Sequence, residues 1–146
     1  MKKIYKSVFF VVFCFCVNLS AQSSGKIFYK MDADTIFGRV YFSHDFDAKL
    51  IQKVMDDPTD ITMFKITKDQ LIILDKNRKP IFPDTISVNK DEPFYLYSKD
   101  KLKELFDKSE NKDNAEAIVE MRGSTVTITS GNFTLEQAAL CPPFCP

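Results

Sequence analysis

The same order of predicted strands and helices occurs twice along the chain, and this repeat constrains the fold more than any other feature of the sequence. Each copy contains a strand, a serine at a helix start, an amphipathic helix, a polar gap and two strands joined by a tight turn. From the serine to the last strand is 28 residues in both copies, from Ser43 to Leu71 and from Ser98 to Val126. Two interpretations are open: a weak duplication of a βαββ unit, or the chance alternation of strands and helices in an α+β domain.

Local patterns predict the elements of each copy. In the first, apolar residues four positions apart predict a helix through Phe46, Leu50 and Val54, capped by Ser43 or Asp45. Strands are expected there at 27–31, 36–42, 61–67 and 71–75, the first two as a hairpin that turns at residues 32–34. The second copy predicts a strand at 94–97, a helix at 99–108 and a hairpin of strands at 115–121 and 125–129, after a loop at 76–93 with room for a short strand at 85–88.

These elements predict an α+β fold in which one antiparallel sheet carries two helices on one face, followed by a short Cys/Pro-rich tail. The apolar content of 45% and charged content of 27% are typical of a globular chain. We expect the domain to span residues 22–135 and the tail residues 136–146. The threonines at 125, 127 and 129 alternate along their strand, which predicts that they lie on a partly solvated face of the sheet.

The first 21 residues have the pattern of a secretory signal peptide. Three lysines precede an unbroken apolar run from Val8 to Val17, and small or polar residues follow up to Ala21. The run is shorter than the roughly 20 residues of a membrane span. We therefore expect cleavage after Ala21 and export of the mature chain to the periplasm or the exterior of a bacterial cell, with no transmembrane segment in the mature chain.

The charge balance of the chain argues against nucleic acid as a partner. The chain has 20 basic and 20 acidic residues, and removal of the signal peptide takes away three lysines and leaves a net charge of about −3. A chain without a basic field is not expected to bind nucleic acid. Protein partners are the remaining expectation, and the sequence leaves the oligomeric state undetermined.

The C-terminal tail contains the most specific motif of the chain. Cys141 and Cys145 are the two cysteines that remain after cleavage, and prolines occupy three of the six last positions. An even pair in an oxidising compartment predicts one disulfide. The pair has two alternative roles, as a structural link or as a reactive dithiol.

The tail also resembles a known motif. The string Cys141-Pro142-Pro143-Phe144-Cys145-Pro146 is similar to the Cys-Pro-x-x-Cys-Pro motif of the copper chaperones that serve cytochrome oxidase assembly. This resemblance covers six residues and implies a thioredoxin-like fold in which Cys141 and Cys145 hold Cu(I) together with a distant histidine. His44 is the sole histidine, and its place between a strand end and a helix start is typical of a solvated or capping-region residue.

Three functional hypotheses follow from the sequence. The first is a small non-enzymatic binding or interaction protein of the cell envelope or exterior, with its tail tied by the Cys141–Cys145 disulfide and without a cofactor. The second is a thiol-redox or Cu(I)-handling protein that uses the same two cysteines. The third is an inhibitor or immunity protein, and no catalytic residue is assigned in any of the three.

Overall fold

The computed structural model describes residues 24–89, 91–109 and 116–141. These residues form three helices and ten strands, which confirms the predicted α+β class. The helices are α1 (Lys30–Phe37), α2 (Ala48–Asp56) and α3 (Lys99–Lys108). The strands are β1 (Lys26–Tyr29), β2 (Val40–Phe46), β3 (Ile61–Ile66), β4 (Leu71–Asp75), β5 (Pro80–Phe82), β6 (Phe94–Ser98), β7 (Ala117–Arg122), β8 (Thr125–Ser130), β9 (Phe133–Glu136) and β10 (Ala139–Cys141). None of these helices has the length and apolar character needed to cross a membrane.

The strands divide between two five-stranded antiparallel sheets rather than forming one. Sheet A has the order β1-β9-β8-β7-β2, and sheet B has the order β10-β6-β3-β4-β5. The main core lies between them and combines Phe64, Ile73 and Tyr97 of sheet B with Val119 and Ile128 of sheet A. Since β3 and β4 are apolar on both faces, sheet B also needs cover on its other side, and Ile86 and Val88 of the loop after β5 contribute to that second cluster.

The repeated order predicted from sequence is present, and the two copies are interlocked. The first copy runs β2-α2-β3-β4-β5 and the second runs β6-α3-β7-β8-β9. The first strand of each copy joins the sheet of the other copy, because β2 pairs with β7 and β6 pairs with β3. Each sheet therefore contains one strand from one copy and three from the other, so neither copy completes its own sheet.

The helix predictions are largely confirmed. Helix α3 spans residues 99–108 as expected, with Ser98 at the N-cap position. Helix α2 begins later than expected because β2 continues to Phe46, and the predicted caps Ser43 and Asp45 lie inside that strand. Asp47 caps α2 instead, and its Oδ1 accepts a hydrogen bond from the Leu50 N–H at 2.8 Å.

The predicted N-terminal hairpin is wrong. Strand β1 pairs with β9 rather than with β2, and the residues expected to turn lie inside helix α1. This helix packs on the face of sheet A that points away from the main core and buries Ala33 completely. Local propensity favours a turn at Asp32-Ala33-Asp34, but the pairing with β9, about a hundred residues away in sequence, determines the structure.

Helix α1 also explains why the predicted solvated threonine face is wrong. Thr127 and Thr129 are buried and Thr125 is half-buried, because α1 covers this side of sheet A.

In the loop after β4, the short strand expected at 85–88 is absent from the described residues, and β5 forms at Pro80–Phe82 instead.

Candidate functional site

A cleft at one end of sheet A is the candidate site on the described residues. Its volume is about 780 Å³, and it lies between the start of α1, the β8–β9 turn and the residues Ser109 and Glu116. Both apolar and polar residues line it. The lining residues are Tyr29, Lys30, Met31, Asp32, Ser109, Glu116, Ser130, Gly131, Asn132 and Phe133.

The local sequence fixes the walls of this cleft. Gly131 has a φ of 55°, a left-handed conformation that suits the two-residue turn between β8 and β9. The Lys30 N–H donates a hydrogen bond to the Asn132 carbonyl at 2.8 Å, which joins the start of α1 to that turn. Tyr29 and Phe133 are direct partners across β1 and β9, with ring centroids 5.2 Å apart.

The cleft presents large apolar side chains to solvent. Tyr29 is 62% exposed and Met31 is 82% exposed. Pairing of β1 with β9 places the exposed Tyr29 ring against the Phe133 ring. A ring restrained in this way loses little conformational entropy on binding.

The charged side chains of the cleft differ in whether they form ion pairs. Lys30 forms an ion pair with Asp34 at 3.0 Å, so its positive charge is partly neutralised within α1. Asp32 and Glu116 have no ion-pair partner among the residues that the structure describes. The cleft therefore has an acidic rim around its apolar surface.

A buried polar network holds α1 next to the cleft. Arg122 is 1% exposed, and its guanidinium donates hydrogen bonds to Glu120 Oε2 at 2.9 Å, Asp34 Oδ1 at 2.5 Å and the Gly38 carbonyl at 3.1 Å. Thr129 donates to the same Glu120 oxygen at 2.7 Å. Hydrogen bonds from Arg122 and then Lys30 hold the pKa of Asp34 below its ordinary value. The network is structural, because its buried donors and acceptors are directed at one another.

The predicted cysteine site is only partly described. Cys141 is the last residue of β10 and is fully buried, opposite Phe94 of β6. The Arg78 guanidinium donates a hydrogen bond to its Sγ at 3.3 Å and also stacks over the Phe94 ring at 5.3 Å. Cys145 lies outside the described residues. In the tail segment predicted at 136–146, Glu136 is the last residue of β9 and Ala139–Cys141 form β10.

His44 lies away from the cleft, on β2. Its Nε2 is 3.0 Å from the Thr67 carbonyl oxygen, a contact that joins β2 to the turn between β3 and β4. Across the described ranges, no three His, Cys, Asp or Glu side chains are grouped as metal ligands. The two-sheet architecture also differs from the thioredoxin-like fold that the copper-chaperone resemblance implies.

Comparison with known proteins gives no further guide to the site. The chain matches no protein-family model, no curated protein and no solved structure. Sequence reasoning missed the cleft because its lining residues come from segments that lie far apart in the chain. The available signal was the Gly131-Asn132 turn between two strand patterns, which marks a hairpin but not the partner strand β1.

Proposed function

We propose that the chain is an exported, non-enzymatic protein that binds a peptide segment of a protein partner in the cleft at the β8–β9 turn. The exposure of Tyr29 and Met31 carries this proposal, since clustered exposed apolar side chains mark interaction sites on small proteins. The acidic rim formed by Asp32 and Glu116 favours a peptide that combines basic with apolar residues. An inhibitor or immunity protein is one instance of such binding.

The export part of the proposal rests on the N-terminal sequence. The predicted signal peptide ends at Ala21, and the first described strand begins at Lys26. Its removal would leave every described element in place. The mature chain would then act in the periplasm or outside the cell, with a net charge of about −3.

Selection from a random phage-displayed 12-residue peptide library tests the binding site. We expect the mature protein to enrich peptides with basic and apolar residues, because these complement the rim and the Tyr29 ring. The Tyr29→Ala/Met31→Ala variant should bind the enriched peptides at least tenfold more weakly, which corresponds to about 1.4 kcal/mol. Affinities are measured by isothermal titration calorimetry of synthetic copies of those peptides.

A matched control separates the cleft from general surface apolarity. Ile36→Ala removes an equally exposed apolar side chain of α1 that does not line the cleft, and it should leave peptide affinity unchanged. Failure to enrich any peptide, or equal weakening by both variants, would contradict the proposed site.

The tail has a structural role in this proposal, with a disulfide between Cys141 and Cys145. Complete burial of Cys141 supports this role, because copper transfer and thiol exchange both require access to the sulfur. The pairing of β10 with β6 further restrains the segment that precedes the second cysteine. No observation gives comparable support to the redox or Cu(I) alternative.

Intact mass spectrometry of the exported protein tests the tail. We expect a mass that begins at Gln22, with one disulfide that survives mild reductant under native conditions and is lost after denaturation and reduction. Native protein should take up no Cu(I) in a competition titration with a chromogenic chelator. Rapid reduction of the native protein together with tight Cu(I) uptake would instead support the redox or copper alternative.

A further inference from the structure

The outer edge of β2 is open among the described residues. Strand β2 is the last strand of sheet A and pairs only with β7. With seven residues it is the longest of the described strands. A strand at a sheet edge presents a row of backbone N–H and C=O groups that another extended chain can bind.

The fold itself contains an example of how such an edge is covered. In the repeat, β2 is equivalent to β6, since each is the first strand of its copy and each joins the hairpin of the other copy. The outer edge of β6 carries β10 in antiparallel pairing, with Leu140 opposite Tyr95. The equivalent edge of β2 has no such strand in the described structure, so one position of the repeat is filled and the other is open.

The charges along β2 indicate which strand fits there. A basic residue, Arg39, directly precedes β2, and an acidic residue, Asp45, is the last but one of the strand. Two copies of this strand in antiparallel orientation place the basic end of each next to the acidic end of the other. Parallel pairing would instead bring like charges together. Tyr41, 59% exposed and contacted by the Arg39 guanidinium at 5.6 Å from its ring centre, supplies apolar surface between the two ends.

We propose that the protein forms a symmetric dimer in which β2 pairs antiparallel with β2 of a second copy, joining the two A sheets into one. Such an interface is isologous, so each charge contact occurs twice. A β-bulge lies between Val40 and Phe42, and the register is regular from there to Phe46. Placing Arg39 of one copy opposite Asp45 of the other sets the twofold axis near Phe42, at the start of the regular part of the strand.

Sedimentation velocity over a concentration series, with the full mature chain, tests this dimer. The wild type should show a concentration-dependent monomer–dimer equilibrium. Asp45→Arg should raise the dimer dissociation constant at least tenfold, because Arg39 of each copy then faces a like charge. The double variant Arg39→Asp/Asp45→Arg restores opposite charges and should recover most of the lost affinity.

Two further variants test whether the dimer depends on the backbone of β2 and on the position of the charge change. Ser43→Pro removes a backbone donor from the strand and should also abolish dimerisation. Asp91→Arg makes the same charge change at an exposed residue of the loop before β6 and should have no effect. Circular dichroism tests whether each variant is folded. If Ser43→Pro unfolds, Asp45→Arg and the double variant still decide whether β2 forms the dimer. A wild type that stays monomeric up to millimolar concentration, or a dimer insensitive to Asp45→Arg, would overturn the proposal.

Discussion

Replacement of Arg122 by methionine is expected to lower the free energy of unfolding by about 3–5 kcal/mol. Arg122 is fully buried beneath α1, and its guanidinium is the shared partner of Glu120 and Asp34. Methionine has a similar length but no charge, so the variant would leave the buried Glu120 carboxylate without its cation. Removing one partner of a buried ion pair costs more than the pair itself contributes, because the other charge remains desolvated.

The source of this cost can be measured with a second substitution. In Arg122→Met/Glu120→Leu both buried charges are absent, and we expect a substantial part of the lost stability to return. Lys103→Met, at an exposed position of α3, is the control and should change stability by less than about 0.5 kcal/mol. Urea denaturation followed by circular dichroism gives the four free energies. A cost for Arg122→Met no larger than that of Lys103→Met would contradict the structural role of the network.

Arg122 also determines the ionisation of Asp34. In the wild type, its hydrogen bond is the main cause that lowers the pKa of the Asp34 carboxyl group. The stabilisation from this contact is present above the unfolded-state pKa of Asp34 and is lost as the pH falls through the lower folded-state value. The pKa of Asp34, followed by NMR, should therefore rise towards its ordinary value in Arg122→Met.

Features set by neighbouring residues were predictable from the sequence. Apolar spacing located α3 to the residue, and the turn at Arg122-Gly123-Ser124 identified the β7–β8 hairpin. The twofold strand–helix–strand–strand order was also visible, since each copy is continuous in sequence. These elements depend on patterns within about thirty residues, where periodicity and turn chemistry are sufficient.

Features set by distant residues were not predictable. Whether β2 pairs with β1 or with β7 depends on which apolar faces meet in the folded core, and single-strand patterns contain no information on partner choice. The same limitation hid the candidate cleft, which exists because Tyr29 lies opposite Phe133. The buried threonines gave a misleading solvation signal, because Thr127 and Thr129 both donate hydrogen bonds to Glu120, which compensate for lost water.

The interlocked repeat predicts a second large effect, at the aromatic contact where the two copies meet. Phe64 of β3 is fully buried and lies edge-on to Phe46 of β2 and to Tyr97 of β6, with ring centroids 5.9 Å and 6.0 Å apart. Phe46 and Tyr97 are the residues that lead into α2 and α3, so this cluster joins both helix starts to the central strand of sheet B.

Phe64→Ala is expected to destabilise the protein by about 3–5 kcal/mol, because it removes a ring from the core and leaves a cavity that two other rings cannot fill. Phe64→Leu preserves most of the volume and should cost clearly less. Phe82→Ala, at a more exposed position on β5, is the matched control and should have a small effect. The free energies come from urea denaturation. Similar costs for Phe64→Ala and Phe82→Ala would contradict the role of the cluster in joining the two copies. The loss of its central ring would then lower the free energy of unfolding no more than the loss of a peripheral ring.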